Sequence, residues 1–157
     1  MKKKIVTWGL ALMVSGIIVG GGVIFYVFNM PHRNVQNAPV DFVMEAKNLV
    51  KEYLADAQSA NNRYLQEEGD SKIIAVSGIV ASIDEDMNRQ KVVLLKEEGE
   101  HAGVSCTFMA NTNVNAEKLK EGDKVTIKGV IRSGAGYDED LELYEDVIIE
   151  KCDVVHI

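Results

Sequence analysis

Leu119-Lys-Glu-Gly-Asp-Lys-Val-Thr-Ile-Lys-Gly129 is the stretch on which the reading of the C-terminal half turns. Leu119 closes a short helical turn, and Gly122-Asp123 is glycine-containing turn chemistry that reverses the chain. Val125 and Ile127 then alternate with Lys124, Thr126 and Lys128, the two-residue period of a half-buried strand. Gly129, inside that strand pattern, marks a bend or bulge.

The same period governs the segments on either side. Lys72 to Ile83 is apolar on both faces, Ile74, Val76 and Val80 on one and Ile73, Ile79 and Ile83 on the other, with Gly78 at its centre. A strand buried on both sides with a central glycine is one that bends and serves two halves of a curled sheet. Asp84 to Asn88 turns the chain and Lys91 to Leu95 returns it. Val104, Cys106 and Phe108 then alternate with Ser105 and Thr107, on a face expected to be core. Asn113 to Lys120 reads as a short helix with Asn115 as N-cap, and Val125 to Ile131 and Val147 to Val155 supply the last strands. Three strands, a helix and two more strands can close on themselves and so remove the sheet's edges.

Upstream, the chain changes character. Asp41 is a good N-cap and Glu45 a favourable first-turn acid. Phe42, Ala46, Leu49, Val50, Tyr53, Ala57, Ala60 and Tyr64 recur at spacings of three and four. They predict an amphipathic helical leader over residues 41–66, broken near Asp56, whose stripe packs on the following barrel. Residues 29–40, with Pro31 and Pro39, read as an extended linker.

Ile5 to Phe28 is a run of 24 uncharged residues preceded by Lys2-Lys3-Lys4. A helix of that length spans about 36 Å, enough for a hydrocarbon core of about 30 Å. Residues 1–28 are therefore expected to be cytoplasmic lysines and a transmembrane anchor. The lysines outweigh Arg33, which puts the N-terminus in the cytoplasm and the remainder outside. The run ends Phe25-Tyr-Val-Phe-Asn-Met30 without small cleavage-site residues, and no cysteine precedes Cys106, so an uncleaved anchor is favoured over a signal peptide or lipoprotein. Gly16-x-x-x-Gly20 offers a close-approach face for a homodimer through this helix, although Gly20-Gly21-Gly22 blurs the motif.

The combination of Ala60-Asn61-x-x-Tyr64, Val76-x-Gly78-x-Val80-x-x-Ile83, Val104-x-Cys106-x-Phe108, Leu119-x-x-Gly122-x-x-Val125-x-Ile127-x-Gly129 and Val147-x-Ile149-x-x-Cys152 resembles the tRNA-anticodon-like OB-fold family of small bacterial exported proteins. The resemblance covers Asp41 to Ile157. It implies a mainly β fold with α elements: a five-stranded OB-fold barrel over 72–157 behind the helical leader. It implies no particular activity, because fold does not carry function. Asp56 departs from the pattern, where a neutral asparagine is expected.

Charge and chemistry narrow the function. Three lysines and no acid precede Met30, so Met30 to Ile157 carries 14 basic against 24 acidic residues, a net charge of −10. Such a field opposes nucleic acid, whose binding draws its strength from Lys and Arg on phosphates. OB barrels bind through the loops joining strands 1–2 and 4–5. Here those loops contain Asp84, Asp86 and Asn88, and Tyr137, Asp138 and Asp140 with Tyr144 following, and they are the candidate binding residues. Only Phe108, Tyr137 and Tyr144 of the ten aromatic residues fall in the barrel.

Asp84-x-Asp86-x-Asn88 starts like a calcium loop but has Arg89 where glycine is needed and Leu95 where the closing acid belongs. It reads as a solvated hairpin turn. His32, His101 and His156 are scattered, so no catalytic residue, metal or cofactor is expected. Ser133-Gly-Ala-Gly136 is too short and acid-flanked for a phosphate cradle and reads as a flexible loop. The expectation is a binding module, not an enzyme, for a protein or cationic envelope partner. The alternative is an oligosaccharide- or single-stranded nucleic-acid-binding domain with Tyr137 and Tyr144 stacking on rings. Cys106 and Cys152, the only cysteines, are either a disulfide between neighbouring strands of an exported domain or two small buried hydrophobes.

Overall fold

The computed structural model describes residues 19–26, 34–66 and 71–155. The chain divides into a unit ending at Arg33 and a unit beginning at Asn34. Of the first, residues 19–26 are helical with exposed side chains. Among the described residues no helix is long and apolar enough to cross a membrane. The expected span Ile5–Phe28 lies for the most part outside them, as do Lys2, Lys3, Lys4 and Gly16.

The second unit is built on β2 (Ile73–Glu85), the 13-residue strand expected to serve two halves of a sheet. Residues Ile73–Ile79 pair with β5 (Lys124–Ser133), and Val80–Glu85 pair with β3 (Lys91–Leu95) across a register shift between Val80 and Ser82. Gly78 lies just before the changeover, where a Cβ would be only 3.1 Å from the Cβ atoms of Ala46 and Leu95. The strand bends there because backbone must approach the core closely. Continuing from β3, the ring runs through β4 (Val104–Phe108) and β8 (Val147–Val154) to β5, which returns to β2. Five strands therefore close into a barrel.

The spacing Val147-x-Ile149-x-x-Cys152 acquires a physical reason. Lys151 has φ 55° and the register opposite β4 slips, so Ile149 pairs with Cys106 while Cys152 pairs with Phe108. All four side chains are buried despite the extra residue. Gly129 lies at a comparable slip between β5 and β8, where a Cβ would stand 2.5 Å from Ile149 Cγ2 and 2.8 Å from Cys152 Sγ. At the turn into β5, Gly122 adopts φ 88°, Asp123 N donates to Lys120 O, and Asp123 Oδ2 accepts from Lys120 N.

The leader differs from the sequence reading at its start. Phe42–Glu45 is β1, paired in parallel with Ile74–Ser77 of β2. Asp41 caps no helix: its Oδ2 accepts from Ile73 N, and its own N–H donates to Ile73 O. That exchange holds the segment extended. Helix α1 (Ala46–Ala55) begins after Glu45, which makes no side-chain cap bond. The break falls at Asp56 as expected, and Asp56 is the N-cap of α2 (Ala57–Tyr64), accepting from Ser59 N and Ser59 Oγ. The departure from the asparagine expected at this position therefore leaves the helix capped.

Ala46, Leu49, Val50 and Tyr53 of α1 and Ala60 and Tyr64 of α2 join the barrel residues in one core, while Ala57 is exposed. Burying side chains such as Leu49 and Val50 contributes roughly 1.5–3 kcal/mol each. Phe42 packs edge-on against Tyr64 at 5.2 Å. α3 (Asn113–Ala116) is shorter than the expected 113–120 helix and is preceded by Thr112. Asn115, expected as its N-cap, instead donates from Nδ2 to Asp153 Oδ1.

Residues 34–40, expected as part of a free linker, are docked. Val35 is buried with Ile73 and Val130 on the outside of the barrel, and Lys128 Nζ donates to the carbonyls of Gln36 and Ala38. An apolar side chain and two charge-assisted hydrogen bonds hold a segment that has no internal periodicity of its own.

Candidate binding site

Ser133 to Gly136, expected to be a flexible loop, is ordered by packing and leads into regular structure. Ala135 is buried, and beyond it β6 (Gly136–Asp138) and β7 (Leu143–Glu145) form a two-stranded hairpin. Its turn is held by Asp138 Oδ1, which accepts from Asp140 N and Leu141 N, with Glu142 at φ 51°. Tyr137 and Tyr144 pair across the strands, their ring centroids 4.8 Å apart and planes inclined at 55°. His101 stacks on Tyr144 at 4.7 Å and 21°.

The loop carrying His101 is stitched to the hairpin's exit. Gly103 N donates to Asp146 Oδ1 at 2.6 Å, and Val147 N donates to Gly103 O. These bonds hold the histidine against the tyrosine from a distant part of the chain. α1 and α2 complete the site. Tyr53, Leu54 and Ala57 face His101, Tyr137 and Tyr144 around a cavity of about 430 Å³.

Tyr53 itself is 2% exposed, and its hydroxyl is buried with no hydrogen-bond partner among the described residues. Burial, reinforced by the neighbouring Tyr64 and Glu52, pushes its phenol up to about 12. Glu145 pairs with Gly136, one register step from the Tyr137–Tyr144 pair, so its carboxylate stands on the hairpin face opposite the two rings. Six of the nine residues 138–146 are acidic and none is basic.

The other expected binding loop is elsewhere. Asp86 Oδ1 accepts from Asn88 N and Gln90 N, and Asp84 Oδ2 accepts from Ser82 Oγ. The turn is tied to α3 through Asn113, whose Nδ2 donates to Arg89 O and whose Oδ1 accepts from Lys91 N. Asp84, Asp86 and Asn88 thus take part in their own turn, whereas Tyr137 and Tyr144 line the cavity with Asp138 and Asp140 in the hairpin turn beyond them. Among the described residues no three His, Cys, Asp or Glu side chains converge as a metal-binding group.

Sequence reasoning missed Tyr53 and His101. Tyr53 was visible only as one apolar position of a helical stripe, and His101 as an isolated histidine. No local signal joins them, since the stack forms between segments far apart in the chain.

Cys106 and Cys152 are free thiols, both fully buried on the neighbouring strands β4 and β8. Burial pushes the Cys152 thiol up, and a hydrogen bond with Cys106 pushes it further in the same direction.

With the barrel and its site in hand, comparison with known proteins places the chain. The model of the tRNA_anti-like family matches residues 1–142. The chain belongs to the tRNA_anti-like family. This tRNA_anti-like chain is similar to the crystal structure of a "putative nucleic acid-binding lipoprotein" from Klebsiella pneumoniae, at 15% identity and a TM-score of 0.54. That similarity covers 76% of this chain and 100% of the other. At such identity it establishes a shared fold alone. The chain is also similar to an OBody bound to hen egg-white lysozyme, at 21% identity and a TM-score of 0.37, over 55% of this chain and 97% of that one. No curated protein matches the sequence.

Proposed function

We propose that this tRNA_anti-like protein is a membrane-anchored, extracytoplasmic OB-fold module that binds a cationic protein or envelope component through the β6–β7 hairpin. The observation that carries this reading is the hairpin itself. It presents Tyr137 and Tyr144 beside His101, in a stretch where six of nine residues are acidic. An acidic field attracts and orients a cationic partner, and the exposed rings supply contact area. The anchor and its outward orientation rest on the uncharged Ile5–Phe28 run and the lysines before it.

The test is capture of an oligolysine peptide by the full chain in nanodiscs of uncharged lipid. The complex should persist at physiological ionic strength and dissociate at about 1 M salt, where the Debye length falls to about 3 Å. Absence of capture at low salt overturns the reading.

A second reading has one observation behind it: stacked rings at the edge of an OB barrel suit the bases of single-stranded nucleic acid or the rings of an oligosaccharide. The Klebsiella protein of similar fold, a putative nucleic acid-binding lipoprotein, points the same way. The net charge of −10 on Met30–Ile157 opposes the nucleic-acid form. Retention of an oligothymidylate by the native chain, lost on Tyr137→Ala, would establish it in place of the first.

A further inference from the structure

We infer that the outer face of the barrel across β3, β4 and β8 docks a second copy of this chain. Inward residues of these strands alternate with outward ones, and the register sets the outward ones in rows. Leu94 pairs with Ser105 and Ser105 with Ile148, while Val92 pairs with Thr107 in the next outward row. Ile148 is 41% exposed, and the other four are half-buried. These five side chains carry no charge, on a domain whose net charge from Met30 to Ile157 is −10. Charged groups at the margin are already engaged within the chain. Asp84 Oδ2 accepts from Ser82 Oγ, Arg132 Nε donates to Glu150 Oε2, and Lys96 Nζ donates to His101 O.

The pattern names the occupant. The central row reads aliphatic, serine, aliphatic, with β4 in the middle, so it matches itself when a second copy is turned about a two-fold axis lying along β4. Leu94 of one copy then meets Ile148 of the other, and Ser105 meets Ser105, whose hydroxyls can each donate and accept. Such an isologous contact needs no opposite charge, and it joins two acidic domains at a face that adds no repulsion of its own. The five residues include no aromatic ring on which a base or sugar could stack. Three strands of a small convex barrel offer little area, so the contact belongs to the weak, transient class.

The experiment introduces one surface cysteine at a time into the full chain, in liposomes of uncharged lipid, and oxidises it with copper phenanthroline. Cys106 and Cys152 are fully buried and stay out of the reaction. Ser105→Cys lies on the two-fold axis. It should give a disulfide-linked dimer about tenfold or more faster than Lys124→Cys, which is exposed at the start of β5, a strand that does not neighbour β4. The rate should rise about twofold or more between about 0.05 and 0.5 M salt, because screening relieves repulsion between the acidic domains. Oligolysine capture moves the opposite way with salt, so the two surfaces are told apart. Ile148→Glu, at an exposed position, should lower the Ser105→Cys rate about fivefold or more while the urea midpoint stays near that of Ser105→Cys alone. Equal rates for Ser105→Cys and Lys124→Cys mean that collision or the anchor alone brings the copies together, and they overturn the inference. A Ser105→Cys rate that Ile148→Glu leaves unchanged overturns it as well.

Discussion

The ring of Tyr53 lies directly against Gly134, so closely that a Cβ on the glycine would overlap Cδ1 and Cε1 of the tyrosine. The contact joins α1 to the chain leaving β5, and it sets both the floor of the cavity and the path into the β6–β7 hairpin. Gly134→Ala should therefore displace a buried ring and destabilise by about 1–3 kcal/mol, the usual range for overpacking. Gly136→Ala, two residues on, has only Glu145 Oε2 at 3.8 Å to meet and should be tolerated. Urea midpoints at unchanged slope separate the two outcomes.

Alkaline stability should report Tyr53. Its folded-state phenol at about 12 lies above the ordinary value of 10.0, so the folded state holds the proton longer than the unfolded one. Stability from this group is fully present below pH 10 and is lost as pH rises toward 12. Thermal midpoints measured between pH 9 and 12 should fall more steeply for the native chain than for Tyr53→Phe. Tyr64, raised by burial and by its hydrogen bond to Glu52, adds to the same slope and remains in the variant.

Asp56 should act at the acid end. Hydrogen bonds from Ser59 hold its carboxyl below the usual carboxylate value. A lowered folded pKa means a contribution present above the unfolded value and lost as pH falls through the folded one. Asp56→Asn keeps a capping oxygen and should flatten the melting profile below about pH 4. Asp56→Ala should lower the midpoint at neutral pH as well.

The thiols should be silent until the barrel opens. Cys106 and Cys152 are fully buried, and burial pushes the Cys152 thiol up, so neither presents a reactive thiolate. A maleimide applied to the folded protein should label neither. After unfolding without reductant, mass spectrometry should find two labels per chain. No label at that stage would mean the two had joined as a disulfide.

Topology is tested by fusion. A reporter active only outside the cytoplasm should work when joined after Ile157, and one active only inside should not, because Lys2, Lys3 and Lys4 outweigh Arg33. The reverse result removes the extracytoplasmic part of the proposed function.

Sequence alone determined the barrel. Alternation at Val125 and Ile127, a two-sided apolar strand with Gly78 at its centre, and the Gly122-Asp123 turn are local consequences of strand period and backbone freedom, so they are legible without a partner. The break at Asp56 was legible for the same reason, since capping is decided within a few residues. The start of the leader was not. Phe42–Glu45 has the spacing of a helical turn, yet it pairs with β2 because Asp41 and Ile73 exchange hydrogen bonds across 32 residues of chain. Val35 and Lys128 likewise convert what reads as linker into docked chain. The candidate site was legible by half. Tyr137 and Tyr144 stood out as aromatic residues in an acidic stretch, but Tyr53 and His101 joined them only when closure of the barrel brought α1, the β3–β4 loop and the hairpin to one cavity. Periodicity encodes which face of an element is buried, and it carries no record of which distant element covers that face.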